Sequence, residues 1–573
     1  MITAYLPAAL VALSTLFNAV AAAASAPIAT VQTRTTLSIP VGTVVGSIID
    51  NVEYYRGIPF AEAPVGSLRL RPPVRASKIG TVQATGTGPS CPQMTNLYLT
   101  SLSEEVAAIP VVAAALTVLN TAPDITEDCL TISVMRPRGT AANSGLPVLF
   151  WIYGGGFENG SSGPYNGSVL IPQSVAQRSP IILVTVNYRV GGFGFLPGAE
   201  VLADGASNLG LLDQRMALEW VADNIASFGG NPDKVTIWGQ SAGAFSVFDQ
   251  MALYGGNITY KRKPLFRAGI MNSGSILPAE PVDAPRAQAI FDTVVKSAGC
   301  NSVANGEKLD CLRNLSFEAY WNATNSVPSP FSYNSPVSSF TVRPDGHVIP
   351  ASPEVLAKRG LFAPVPVIIG DQEDEGTFLS LTQNNLTTQA DLLTFLSTVV
   401  FQNATCSQVR ALAATYPYDN GAAGSPFRTG TANEAYPQFK RLAAILGDVT
   451  FTMMRRSFLS FAPKTMKTWS FLSTYGYGTP IMGTFHTADL PKMFYGVDDA
   501  SRAMQTRYIA FVNSLDPNRG RLAAPAGFQT EWPLWSNGEK LIEFGANRTG
   551  ILMDDFRNAS GNFIHNHLKA LRT

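Results

Sequence analysis

The chain has 573 residues, 46% of them hydrophobic and only 14% charged, with Lys+Arg and Asp+Glu both totalling 41. Zero net charge without a basic run excludes the footprint of a nucleic-acid-binding protein, and the length is ample for a large core. A neutral, apolar-rich chain suits neutral or apolar partners.

The N-terminal MITAYLPAALVALSTLFNAVAAAASAP runs from an apolar stretch to small residues at Ala22, Ala24 and Ala26. That is the form of a secretory signal with an A-x-A-type cleavage site, although no Lys or Arg precedes the apolar part. Pro7, Ser14, Thr15 and Asn18 interrupt a stretch already short for a membrane span, so a cleaved leader over 1–24 is expected, not an anchor. No later stretch is long and apolar enough to cross a bilayer, so no transmembrane anchor is expected. Five cysteines follow, Cys91, Cys129, Cys300, Cys311 and Cys406, together with nine Asn-x-Ser/Thr sequons, Asn159 among them. In a secreted chain the natural count is two disulfides and one leftover thiol, with the pairing open. The sequons agree with an oxidising, glycosylating route.

Between Cys91 and Cys129, SLSEEVAAIPVVAAALTVL (101–119) opens with Ser101 and Glu104 at capping-box spacing. From Val106 to Leu119 only Thr117 is polar, so the stretch is apolar all round. It reads as a buried hairpin or as a mobile flap whose apolar side faces lipid when open. Apolar runs of strand length then recur at 146–153, 180–188, 234–238, 364–370 and 468–475. Helix-period stretches such as LGLLDQRMALEWVADNIASF (209–228) separate several of them. Near-continuous apolar strands alternating with helices predict an α/β fold, a mostly parallel central sheet flanked by helices, as one large domain over 25–573 with insertions.

Gly239-Gln240-Ser241-Ala242-Gly243 is the one G-x-S-x-G match, and it sits where the run KVTIW (234–238) meets a helix-type run. A nucleophilic serine at a strand-to-helix turn needs that arrangement: the turn is tight, the flanking glycines relieve it, and the next helix aims its N-terminus at the site. Trp151-Ile152-Tyr153-Gly154-Gly155-Gly156-Phe157 places three glycines after another strand-like run. This is an ordinary flexible loop or an oxyanion hole, to which the amide of Ala242 would add a donor.

A base should be one of four histidines. His347 lies in a turn-like RPDGHVIP, and His565 and His567 lie near the C-terminus on an apparent final helix. His486 lies in the loop MGTFHTADL soon after a strand-like run, and only it satisfies both the order serine, acid, histidine and a loop position. The acid should follow a strand between Ser241 and His486, where GDQEDEGTF offers Asp371, Glu373, Asp374 and Glu375. Chemistry requires one carboxylate to orient the imidazole and does not choose among the four.

GQSAGA, WIYGGGF, GDQEDEGTF, GTFH, YRGIPFAEAPVG (55–66) and EDCLTISV (127–134) together resemble the type-B carboxylesterase/lipase family, an α/β-hydrolase family that includes the cholinesterases. Longer stretches at 208–239, 263–275 and 437–448 are similar to the fungal Candida rugosa-type lipases and sterol esterases. The resemblance runs from about Gly42 to Phe556. It implies Ser241 as nucleophile, Glu375 as acid, His486 as base, and Gly155, Gly156 and Ala242 as oxyanion donors, with no metal or organic cofactor. It also implies disulfides Cys91–Cys129 and Cys300–Cys311, with the first stapling a lid within 91–129, and a structural ion pair between Arg189 and Asp213. The chain departs from the family at Gln240, where most relatives carry Glu. An amide of the same shape removes a buried charge, so altered electrostatics and a shifted pH profile are expected.

These readings give a secreted serine esterase that cleaves long-chain acylglycerols or steryl esters through an acyl-enzyme, and that meets a lipid–water interface through its lid. An open apolar flap would also give it a surface for self-association. The alternatives are a carboxylesterase for short soluble esters, with 101–119 permanently buried, and a non-catalytic binding or adhesion module.

Overall fold

A single twisted sheet of 13 strands links residues from Thr33 to Met553. It is seen in a computed structural model that describes residues 33–95, 124–329, 332–334, 337–418, 423–520 and 524–572. The expected leader (1–24) and the apolar flap (101–119) lie outside the described residues. The strands are β1 Thr33–Ile39, β2 Gly42–Ile49, β3 Val52–Pro59, β4 Gly80–Gln83, β5 Thr131–Pro137, β6 Leu146–Ile152, β7 Ile182–Val186 and β8 Gly230–Gln240. After a two-stranded hairpin of β9 Thr259–Tyr260 and β10 Lys263–Pro264 come β11 Ala268–Asn272, β12 Val367–Gln372, β13 Thr468–Ser473, β14 Lys540–Phe544 and β15 Thr549–Met553. Their order is β1-β2-β3-β5-β7-β6-β8-β11-β12-β13-β14-β15, with β4 beside β2. Strands β7 through β14 of that order are parallel, and antiparallel pairs close both flanks.

The parallel strands are the apolar runs of the sequence. ILVTV of β7 and TWSFLS of β13 are buried at every position, because helices cover both faces. Each fully buried Leu, Ile, Val or Phe side chain contributes about 1.5–3 kcal/mol. The predicted helix at 209–228 forms over Leu209–Asn224, and its last turn tightens to a 3-10 turn over Ile225–Phe228 before Gly229 in the left-handed region. Beneath the carboxyl ends, Trp151 of β6 and Trp238 of β8 are register partners whose rings meet edge-on at 4.3 Å. Trp238 also stacks on Phe494 at 5.0 Å.

Disulfides join Cys91 to Cys129 and Cys300 to Cys311, and Cys406 is a free, exposed thiol. Arg189 meets Asp213 in a buried two-pronged pair of 2.7 and 2.8 Å. Arg69 meets Glu127 in the same way at 2.6 and 2.7 Å, two residues before Cys129. No helix among the described residues is long and apolar enough to cross a membrane.

The sequons divide by burial. Asn257, Asn314, Asn322, Asn385, Asn403, Asn547 and Asn558 are exposed, whereas Asn159 is 5% exposed in the turn after the triple glycine. Glycopeptide mapping of the secreted protein is therefore expected to find Asn159 unmodified; a glycan there would mean that this turn is open in the folded chain.

Candidate active site

Strand β8 ends at Gln240, and the helix Ala242–Ala252 begins one residue after it. Ser241, alone between them, has φ 55° and ψ −124°, a conformation that costs a residue with a side chain roughly 1–3 kcal/mol. The flanking glycines relieve the backbone clash that the motif suggested. A Cβ at Gly239 would lie 2.1 Å from the Gly243 carbonyl oxygen, and one at Gly243 would lie 2.0 Å from that of Ile152. They permit close backbone crossings, and the strain stays on the serine.

The triple-glycine loop follows β6 into the same place. A Cβ at Gly154 would lie 2.9 Å from the Cβ of Ser241, and Gly155 and Gly156 take φ of 116° and 65°, where only glycine is unstrained. The Gly155 carbonyl accepts from the amides of Glu158 and Asn159 at 3.1 and 2.9 Å, which folds the loop back on itself.

His486 is buried and holds both neighbours. Its Nε2 lies 2.8 Å from Ser241 Oγ, and its Nδ1 lies 2.5 Å from Glu375 Oε2. The carboxylate accepts from Nδ1–H, which leaves Nε2 to accept from the serine hydroxyl. Glu375 Oε1 accepts the Gln372 amide at 2.7 Å, and the imidazole lies over Phe451 at 4.5 Å. The other histidines are engaged elsewhere. His347 sits against Tyr254, His565 contacts Ser457 and Phe461, and His567 donates to the Phe563 carbonyl.

The structure separates the four acids by partner. Asp371 pairs with buried Arg455 at 2.7 Å and Glu373 with Arg428 at 2.8 Å. Asp374 accepts from Ser425 Oγ, the Phe427 amide and the Thr484 amide at 2.8, 2.8 and 2.9 Å, and only Glu375 reaches the imidazole.

Three neighbours were not singled out for these contacts by sequence reasoning. Gln240 Nε2 lies 3.3 Å from His486 Nε2 and shares that acceptor with the serine. Phe451 gave no signal in a generally apolar helix. Glu158, in the GGGFENG run, is fully buried; its Oε1 accepts the Phe340 amide at 2.9 Å, and its Oε2 makes no hydrogen bond of ordinary geometry among the described residues. Burial pushes its carboxyl up to about 8, against the smaller opposing effect of the Phe340 and Ser339 amides.

A mostly parallel sheet with a strained serine at a strand-to-helix turn defines an α/β-hydrolase. Residues 31–560 match the carboxylesterase family. A secreted triacylglycerol lipase of Gibberella zeae is 52% identical, over 94% of this chain and 91% of the relative. Lipase 5 of Diutina rugosa is 44% identical, over 95% of this chain and 97% of the relative. The crystal structure of Aspergillus niger EstA superposes with a TM-score of 0.76 at 27% identity, covering 94% of this chain and 99% of that one. The chain belongs to the carboxylesterase family, as a secreted carboxylic ester hydrolase of lipase type.

Two outcomes are expected from these contacts. Glu158 has a folded-state value above its ordinary 4.5, so the folded chain binds the extra proton between about 4.5 and 8. That contribution is intact below 4.5 and is lost as pH rises toward about 8. Glu158→Gln should therefore gain stability relative to wild type across that window, by roughly 2–5 kcal/mol at its top. Melting curves of both proteins from pH 5 to 8 check this, and a difference that stays constant with pH would mean that Glu158 holds no extra proton in the folded chain. Gln240→Glu would place an anion beside Nε2 and favour the imidazolium. The acid limb of the kcat/KM profile should rise by about one pH unit, and an unmoved limb would show that position 240 does not sense the base.

Proposed function

We propose that Ser241 is the nucleophile, His486 the general base and Glu375 the orienting acid of an acyl-transfer ester hydrolysis. The observation that carries this reading is the unbroken Ser241–His486–Glu375 chain, at 2.8 and 2.5 Å. Ser241 Oγ attacks the ester carbonyl carbon while His486 Nε2 takes its proton, and the Glu375 carboxylate stabilises the resulting imidazolium. The amides of Gly155, Gly156 and Ala242 receive the oxyanion, each worth about 2.7–4 kcal/mol in the transition state. The positive end of the helix Ala242–Ala252 favours the same charge. His486 then protonates the departing alcohol, and water repeats the cycle on the acyl-enzyme to release the acid. None of these steps calls on a metal or organic cofactor.

The substrates we propose are long-chain acylglycerols, steryl esters or both. Support comes from the relatives named as lipases and from the apolar 101–119 stretch, whose flanks are joined by Cys91–Cys129. We read that stretch as a lid that meets the lipid–water interface and offers a surface for self-association. Residues 1–24 are the removed leader, and 25–573 form one hydrolase domain.

The test is hydrolysis of p-nitrophenyl esters from acetate to palmitate, and of cholesteryl oleate in detergent, with Ser241→Ala as control. Strong palmitate and cholesteryl-ester turnover, absent in the variant, is expected. Turnover confined to acetate and butyrate would make the protein a short-chain carboxylesterase with 101–119 as core. Failure of wild-type Ser241 to react with a fluorophosphonate would overturn the mechanism.

A further inference from the structure

The loop that carries His486 is docked on the loop that carries Glu375 through every second residue. Thr377 Oγ1 donates to the Met482 carbonyl at 2.9 Å. Asp374 takes Thr484 on both backbone groups: its own amide donates to the Thr484 carbonyl at 3.0 Å, and its Oδ2 accepts the Thr484 amide at 2.9 Å. Glu375 then takes the imidazole of His486. Met482, Thr484 and His486 thus each meet the acid loop, and Asp374 and Phe485 form an isolated parallel bridge.

No strand ladder continues from that bridge. Left-handed turns at Gly483 (φ 59°) and Thr487 (φ 77°) bound this stretch, so its position depends on what it touches. The second oxygen of Asp374 accepts from Ser425 Oγ and the Phe427 amide, which brings in a third loop. One carboxylate, 1% exposed, therefore joins three chain segments beside the base. The backbone leaves room for it: a Cβ at Gly483 would lie 2.1 Å from Asp374 Oδ2.

We propose that Asp374 is a positioning residue for ester hydrolysis, holding the base's loop at Thr484 so that the imidazole meets Glu375 and Ser241 at reacting distance. This rests on the roles proposed above for those three residues. Glu375 alone fixes one ring nitrogen, and the ring's position along the loop is set two residues earlier, at Thr484. Without the carboxylate the buried Thr484 amide has no acceptor, and the loop must move to find one. A shift of about 1 Å at a reacting group costs on the order of 100-fold in rate.

The test is Asp374→Asn, which keeps the shape but turns an NH2 toward one of the donors. Turnover of p-nitrophenyl ester is read per active site, with sites counted by fluorophosphonate titration. A fall in kcat of roughly 10–100-fold is expected, with KM held within about threefold and fluorophosphonate labelling slowed to match. Ser425→Ala, which removes one donor and leaves Thr484 held, should keep kcat within about threefold. Wild-type kcat per labelled site in Asp374→Asn, with or without a lower Tm, would reduce Asp374 to a structural role. An equal loss in Ser425→Ala would also overturn the proposal, by moving the effect to the 425–427 loop. If Asp374→Asn does not fold, Gly483→Ala displaces Oδ2 with its charge intact. A loss of kcat at constant KM is then expected, and unchanged kcat sinks the idea. A wild-type enzyme inert to fluorophosphonate would mark failure of the underlying mechanism, distinct from any of these results.

Discussion

The site depends on one steric constraint, the crossing of the Gly243 backbone over the end of β6. The Ile152 carbonyl oxygen lies 2.0 Å from where a Cβ on residue 243 would stand, so the helix Ala242–Ala252 rests directly on the strand beneath it. Gly239 closes on Gly243 in the same manner, and the chain must then reverse within Gln240 and Ser241. The positive φ of Ser241 is the residue of that reversal. Because Ile152 and Gly239 are register partners, β6 and β8 end side by side, and the glycines after β6 arrive next to the serine. The presentation of the hydroxyl to His486, the aim of the helix and the place of the triple-glycine loop are thus three results of one contact. The strain is of the same order as the ring contacts of Trp151, Trp238 and Phe494 below, where each ring pair adds about 0.5–1.5 kcal/mol beyond its burial.

Charge is scarce in this chain, yet much of what there is lies inside, where an ion needs specific partners. Arg455, fully buried, reaches Asp371 at the end of β12, Ser470 in β13 and Asp554 just past β15. Asp554 takes two of its nitrogens and is held below the ordinary carboxylate range, whereas burial outweighs the Arg455 contact at Asp371 and raises it. The arginine thereby ties together, from behind, the strands that carry the acid loop. Asn272 does similar work from β11, accepting from Trp238 Nε1 and donating to Asp489, three residues past His486.

The central strands were legible because parallel strands covered on both faces have no polar side to conceal them. The antiparallel flank from Thr33 to Pro59 was not marked out: its first two strands are mostly partly buried or exposed, so no continuous apolar run reveals them. The serine turn and the glycine loop were readable, since their geometry is imposed by local backbone sterics. The acid was not separable by chemistry alone. Each of the four carboxylates acquires its identity from a partner some 50 to 110 residues away, Arg455, Arg428, Thr484 or His486, and only the fold brings them together. Sequence separation likewise hid Phe451 beneath the imidazole of His486.

Gln240 is best understood by counting charges around that imidazole. Glu375 touches Nδ1, and Asp489 lies close enough for the two carboxylates to repel each other; burial first, and Glu375 after it, lifts Asp489 to about 6. A further carboxylate beside Nε2 would enclose the imidazolium between anions. In the mechanism proposed above it would favour taking the serine proton and oppose returning it to the leaving alcohol, which moves the pH dependence of the reaction. It would also stand against Gly154, beside the loop proposed to receive the oxyanion. A neutral amide avoids both effects. It donates to Nε2 in the resting enzyme, and by turning about its last torsion it can offer its oxygen to the imidazolium. In the proposed mechanism, charge stabilisation is then left to the one carboxylate on the far side of the ring and to the oxyanion amides.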